Sequence, residues 1–173
     1  MDLSTITQHF AQQGALPSFL CTAAGMALLE KARSSPVWLS FFAFPGVLAH
    51  ECLHYVVGLL TRARPVAFSV WPRREGSGLV LGEVSFSNLG LLNGAPVAFA
   101  PLLLYPLGIW LLLSYGAPWW RSGDYLQWGG ICLGTASLFF AGRPSWQDVR
   151  AGGASALFYA ALAGAAWYLQ AHT

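Results

Sequence analysis

The sequence predicts a mainly α-helical, polytopic membrane protein with four to five membrane helices and one small β-hairpin. Of the 173 residues, 55% are hydrophobic and only 9% are charged. Charged residues make up about 25% of an ordinary soluble protein, so this chain has too few to cover a soluble surface. The apolar residues also fall in several long runs, which is typical of membrane-spanning helices. We therefore interpret residues 1–173 as one membrane-embedded domain.

Charge and cysteine usage exclude several other classes of protein. The formal net charge is only +2, and the basic residues are scattered without a basic tract, so no nucleic-acid partner is expected. Cys21, Cys52 and Cys132 are far apart in apolar surroundings, which favours small core residues over disulfides or a zinc knuckle. No basic residue precedes Lys31, so the N-terminus does not have the pattern of a cleavable signal peptide.

The most informative segment is the apolar run Pro36–Leu60, which follows two serines and has its proline at the position favoured in a first helical turn. As a helix it would extend about 37 Å, enough to cross a bilayer with some tilt. It carries one acid, Glu51, and no lysine or arginine. Ionisable groups in such a helix are costly and are by default functional.

Inside this run lies the pattern His-Glu-x-x-His, formed by His50, Glu51 and His54. Two histidines four residues apart lie on one helix face, where both imidazoles can bind one metal ion. Glu51 points to the side of that ion and can take a proton from a metal-bound water. Gly46 and Gly58 extend the histidine row by one turn in each direction, and such small residues let another element approach closely.

A change of period after this helix predicts a β-hairpin over residues 66–87. Residues 66–71 and 79–86 are strand-like, and residues 72–78 between them are turn-like and charged. The hairpin is either a solvated loop or an open edge that receives an extended peptide as an added strand. The candidate substrate-binding residues are Glu83, Val84 and Ser85 in the second strand, and Asn93, which faces the site or caps the next helix.

Three further apolar runs are predicted to be membrane helices. They comprise residues 94–115, 125–141 and 151–169. Residues 94–115 contain three prolines, which bend a membrane helix, and residues 117–124 form a predicted loop containing two tryptophans. Residues 16–29 are short for a full crossing, and they form either a tilted span or a helix in the interface.

A catalytic zinc needs a third protein ligand, and Asp148 is the best-placed acid for that role. It lies where two apolar runs meet, and the predicted crossings bring it to the C-terminal half of the histidine helix. The alternative is that Ser145 caps the last helix and Asp148 interacts with the helix dipole in its first turn.

The distribution of cations predicts the side of the membrane on which the site opens. The side reached by Asp148 collects six arginines, namely Arg62, Arg64, Arg73, Arg74, Arg143 and Arg150. The other side has Lys31, Arg33 and Arg121. Positive residues favour the cytoplasmic side, so the site is expected to open towards the cytoplasm.

Together these features resemble the site-2 protease family of intramembrane zinc metalloproteases. The resemblance covers residues 36–150 and depends on the His-Glu-x-x-His helix, the hairpin after it and the later aspartate. In that family the aspartate usually follows an Asn-Pro-Asp-Gly-like pattern, whereas here Asp148 follows Arg143-Pro144-Ser145. No PDZ-like insertion is present, so the chain looks like a minimal or divergent member.

The resemblance implies a function and a set of roles. His50, His54 and Asp148 would bind Zn²⁺, and Glu51 would be general base and then general acid in peptide-bond hydrolysis. The implied partners are a transmembrane protein substrate and the lipid bilayer, in the cytoplasmic membrane of a bacterium. Two alternatives remain open: a non-catalytic metal-binding membrane protein, such as a sensor, transporter component or inactive relative, and a scaffold without metal.

Overall fold

The computed structural model describes residues 14–75 and 78–172, and these residues are mainly helical. Helix α1 (Ala15–Lys31) is followed by a short 3₁₀ turn and then by α2 (Pro36–Leu60), which contains His50 and His54. Ser35 has an extended backbone and Pro36 opens α2, as predicted, because proline needs no hydrogen-bond acceptor in the first turn. Pro45 lies inside α2 without ending it.

The C-terminal end of α2 has an unusual cap. The backbone N–H of Ala63 donates to the carbonyl of Gly58 at 2.8 Å, and that of Arg62 donates to Leu59 at 3.2 Å. This is the pattern of a Schellman cap, in which the residue after the helix adopts the left-handed conformation. Glycine usually holds that position, but here it is Arg62, with φ of 59°.

Arg62→Gly is expected to stabilise the fold by about 1 kcal/mol, because glycine adopts positive φ without steric cost. Arg62→Ala is the matched control, since alanine also loses the charge but keeps the Cβ atom. Thermal unfolding in one detergent should show a higher midpoint for the glycine variant only. Equal midpoints for the two variants would contradict a strained cap.

The β region differs from the predicted single hairpin. Strand β1 (Pro65–Ser69) pairs antiparallel with β4 (Glu83–Phe86), whereas β2 (Arg73–Glu75) pairs antiparallel with β3 (Gly78–Val80). The predicted strand over residues 79–86 is therefore divided at Leu81–Gly82, and part of the predicted turn is strand. Residues 76–77 lie outside the described ranges.

The segment after the hairpin was predicted to be one helix over residues 94–115, and this boundary is wrong. A short helix α3 (Gly94–Ala98) is separate, and the long helical stretch comprises a 3₁₀ turn, α4 (Leu104–Leu111), a π-helical turn (Leu112–Gly116) and α5 (Ala117–Ser122). The predicted loop over residues 117–124 is thus mostly helix. Pro101 and Pro106 lack N–H donors, which is consistent with a 3₁₀ turn rather than an α-helix at the start of the stretch.

Two more helices complete the chain, α6 (Tyr125–Ala141) and α7 (Trp146–Ala171). Among the described residues, two helices are long and apolar enough to cross a membrane, Val37–Leu60 and Ala100–Ser122. The prediction of four to five membrane helices is not supported by this count. Helices α1 and α6 each have 17 residues, about 25 Å against a hydrocarbon core of about 30 Å, and α7 is rich in alanine and glycine.

Helix α6 packs against both α1 and α2 and forms the centre of the fold. Gly46 of α2 lies so close to Ser137 that its backbone N–H donates to Ser137 Oγ at 2.8 Å, and Ser137 Oγ donates to the carbonyl of Ala43 at 3.1 Å. A Cβ atom on Gly46 would overlap the Ser137 carbonyl. The buried apolar side chains around this contact are Leu29, Leu39, Ala43, Val47, Ala136 and Phe140. This packing fixes the height of α6 relative to His50.

Candidate metal centre

Three side chains from distant parts of the chain meet at one point. The Nε2 atoms of His50 and His54 lie 3.0 Å apart. Asp148, at the start of α7, places Oδ1 3.1 Å from Nε2 of His54 and Oδ2 3.6 Å from Nε2 of His50. Both histidines are buried. The structure thus brings together the three residues that the sequence proposed as metal ligands.

The tautomer of each histidine follows from its hydrogen bonds. Nδ1 of His50 lies 2.7 Å from the carbonyl of Ala141, and Nδ1 of His54 lies 2.8 Å from the carbonyl of Val97. A carbonyl oxygen can only accept, so each Nδ1 carries the proton and donates it. In neutral histidine each Nε2 is then a lone-pair atom. Two lone-pair nitrogens and a carboxylate that face one another repel, and a cation bound between them would remove this repulsion.

The spacing of these atoms fits zinc. Zinc binds histidine nitrogen and carboxylate oxygen at about 2.0–2.2 Å in a tetrahedral arrangement, which separates neighbouring ligand atoms by about 3.3 Å. The two nitrogens lie 3.0 Å apart and Oδ1 of Asp148 lies 3.1 Å from Nε2 of His54, both close to that value. Taking one atom from each residue, the three ligand atoms all lie within 4.8 Å of one another. Three protein ligands leave the fourth position for water or substrate, as in catalytic zinc sites.

Asp148 is both a helix cap and a member of the cluster. Its Oδ2 accepts the backbone N–H of Ser145 at 2.6 Å, and its own N–H donates to Ser145 Oγ at 3.1 Å, which is a capping box. The helix cap that the sequence offered as the alternative is therefore present, and Oδ1 of the same carboxylate still faces His54. Burial would raise the pKa of Asp148, but the imidazoles of His50 and His54 in their protonated form, together with the bond from Ser145, outweigh burial and hold that pKa below its usual range, so the carboxylate is ionised.

Ser145→Ala is expected to weaken metal binding by about 10–100-fold, because the capping box orients the Asp148 carboxylate. Ser145→Thr should retain most of the affinity, since threonine is also a good N-cap. The measurement is zinc competition against a chelator of known affinity. Loss of the cap alone costs about 1 kcal/mol of stability, so the metal-free variant should unfold only slightly earlier. An unchanged zinc affinity in the alanine variant would show that the cap does not orient the ligand.

Glu51 is buried beside the histidines and faces the loop that divides the β region. A Cβ atom built on Gly82 would lie 2.7 Å from Oε1 of Glu51 and 2.6 Å from its Cγ. A larger residue at position 82 would require the Glu51 side chain to move, so glycine allows the hairpin to pass close to the carboxylate as it stands. Leu81 beside it packs against the core around Phe140. Gly82 could not be predicted as a site residue from the sequence, because a glycine inside a strand-like run indicates a close approach without identifying the partner.

The cluster lies in a cleft of about 700 Å³ that α2, the hairpin and the start of α7 enclose. Of the candidate substrate-binding residues, Glu83 and Val84 line this cleft. Ser85 and Asn93 are not among the described lining residues. Asn93 accepts from Gly90 N at 2.7 Å and donates to the carbonyl of Asn88 at 2.9 Å, so its amide fastens the connection before α3.

Arg33 and Arg143 also line the cleft, and this overturns part of the predicted topology. The cation distribution predicts that these two arginines lie on opposite sides of the membrane. Both guanidinium groups lie 5.2 Å from the ring centre of Phe140, so they belong to one cluster. The difference arises because α6 is not a full crossing alongside α2 but ends beside His50, halfway along α2.

No protein-family model, no curated protein and no solved structure matches this chain. The interpretation of the cluster is therefore carried by its own geometry and chemistry. The donor set of two imidazoles and one carboxylate, with a further carboxylate beside it, is the set that zinc hydrolases use.

Proposed function

We propose that this chain is an intramembrane zinc metalloprotease that hydrolyses peptide bonds of membrane-protein substrates. One observation carries the proposal: His50, His54 and Asp148 converge within 3.0–3.6 Å beside the buried carboxylate of Glu51, in a helix long and apolar enough to cross a membrane. Buried ionisable groups in such a helix are expensive, so their convergence indicates a functional site.

Each residue has a role in this proposal. Nε2 of His50, Nε2 of His54 and the Asp148 carboxylate would hold the zinc ion, with the Ala141 and Val97 carbonyls orienting the rings. When bound, zinc would lower the pKa of a water molecule towards 7 and polarise the substrate carbonyl. Glu51 would accept the proton from the attacking water and later deliver it to the leaving amine.

The substrate must be extended for its peptide bond to be reached, because a helix hides its peptide groups. Strand β4 pairs with β1 on one side, and Glu83 and Val84 of β4 line the cleft. The other edge of β4 pairs with no strand within the described ranges. This edge would hold a substrate segment as an added strand.

The proposal places the whole helical region in the cytoplasmic membrane, including the shorter helices. Large apolar side chains are exposed on α1, α6 and α7, among them Leu20, Leu126 and Leu157. Exposed apolar surface of this extent is stable in lipid and not in water.

One contact favours a second candidate function, metal binding without catalysis. The loop at Gly82 approaches Glu51 so closely that a Cβ atom on Gly82 would lie 2.7 Å from Oε1. A sensor or an inactive relative would keep that contact permanently. A protease would displace Leu81 and Gly82 when substrate enters.

Glu51→Gln separates the two functions, because glutamine has nearly the same shape but cannot accept a proton. The expected result is a zinc content equal to that of the wild type and no detectable cleavage of a membrane-peptide library in proteoliposomes. Zinc content and product formation, by mass spectrometry, should be measured on the same preparations. Cleavage that persists in Glu51→Gln, or wild-type protein that binds zinc but cleaves nothing, would overturn the protease proposal.

A further inference from the structure

A second charged group lies in the cleft, apart from the metal ligands. Arg33 Nε lies 2.6 Å from Oε2 of Glu30, and Arg143 Nη2 pairs with the other oxygen of the same carboxylate. Both guanidinium groups also lie over the ring of Phe140 at 5.2 Å from its centre. One carboxylate and one aromatic ring thus hold two arginines from different parts of the chain.

This group has an excess of positive charge on the side that faces the cleft. Arg33 and Arg143 line the cleft, whereas Glu30 is not among its described lining residues. The two arginine side chains remain 56% and 46% exposed. Beyond the bonds to Glu30, the only other hydrogen bond of these guanidinium groups within the described part of the chain joins Arg143 Nε to the carbonyl of Phe140. Most of their N–H donors are therefore available.

We propose that Arg33 and Arg143 form a carboxylate-binding subsite for an acidic residue of the peptide substrate, and this inference rests on the proposed protease function. The planar guanidinium matches a carboxylate and binds it through paired hydrogen bonds. Stacking on Phe140 holds both groups in place before substrate arrives, which lowers the entropy cost of binding, whereas the Glu30 carboxylate competes with a substrate carboxylate for the same donors.

The subsite and the metal ligands line the same cleft. Phe140 is followed directly by Ala141, whose carbonyl holds Nδ1 of His50 at 2.7 Å. Arg143 lies two residues further along, before the Ser145 cap that orients Asp148. A peptide extended through the cleft past the metal ligands could therefore bring an acidic side chain to the arginines.

The experiment uses the full-length Glu51→Gln protein in neutral detergent. The probe is a fluorescent leucine–alanine peptide with one glutamate moved through successive positions, compared with the same peptide carrying glutamine. We expect about fivefold tighter binding of the glutamate peptide at one or two adjacent positions. Arg33→Gln and Arg143→Gln should each reduce this preference. Arg121→Gln, which does not line the cleft, should leave it unchanged.

Glu30→Gln separates a binding role from a structural one. If the three charges only fasten the helices together, Glu30→Gln and Arg143→Gln should have the same effect on peptide binding. If the arginines bind substrate, removing the competing carboxylate should increase the preference for glutamate peptides. A decreased preference in Glu30→Gln, in a variant that still unfolds cooperatively, would overturn the subsite.

Equal binding of glutamate and glutamine peptides at every position would also overturn it. If the arginine variants then bind phosphatidylglycerol vesicles more weakly than the parent protein, the arginines would be assigned to lipid phosphate. Cleavage of the same peptides by wild-type protein is measured in parallel. A glutamate preference without Glu51-dependent cleavage would refute the protease function and leave the subsite intact. Glu51-dependent cleavage without a glutamate preference would refute the subsite and leave the protease function intact.

Discussion

His54→Ala is expected to abolish zinc binding by the purified protein. Alanine removes one of three ligands, and no other described histidine, cysteine or acid completes the cluster. The loss should exceed the roughly 10–100-fold that is typical when a residue supporting a ligand is removed. The measurement is zinc content by plasma mass spectrometry after dialysis against a weak chelator.

The control for this experiment is His172→Ala. His172 is exposed at the end of α7, where its Nδ1 bonds the carbonyl of Tyr168 at 2.9 Å, so its removal should not change zinc content. One zinc per chain retained by His54→Ala would contradict the metal centre. Loss of zinc in both variants would mean that the ion binds elsewhere on the chain.

Gly46→Ala is expected to destabilise the protein by about 3 kcal/mol and to weaken zinc binding at the same time. A Cβ atom at this position overlaps the Ser137 carbonyl of α6, and backbone cannot move aside as a flexible side chain can. Displacement of α6 would also move Ala141, whose carbonyl orients His50. Thermal unfolding and chelator competition measure the two effects.

Gly134→Ala is the matched control for Gly46→Ala. Gly134 is also a helical glycine, but a Cβ atom there would meet nothing within 4 Å. Alanine should then stabilise the helix by up to about 1 kcal/mol and leave zinc affinity unchanged. If Gly46→Ala behaves like Gly134→Ala, the close contact between α2 and α6 is not needed for stability.

The sequence predicted the centre of the molecule well because its signals are local. The spacing of His50 and His54 defines one helix face, and the apolar run from Pro36 to Leu60 defines the helix. Asp148 could be predicted only as one of two alternatives. A single carboxylate has two oxygens, and the sequence could not show that one caps α7 while the other faces His54.

Features that depend on tertiary contacts could not be predicted in the same way. Strand propensity continues through residues 79–86, yet the strand is divided because Leu81 packs on the core and Gly82 crosses Glu51. The pairing of Arg143 with Glu30 is also non-local, and a count of cations along the chain cannot detect it. The prediction of four to five crossings is not supported, because it counted every apolar run, and α6, although apolar, has only 17 residues.

The two ring nitrogens that do not face the cluster both bond main-chain oxygens, those of Val97 and Ala141. Every amino acid supplies such an oxygen, so point substitution cannot delete either bond while the backbone stays in place. Positions 97 and 141 can therefore drift in sequence, within the limits of packing, without disturbing the imidazoles. Among related chains we expect the histidines to persist while these two neighbours vary.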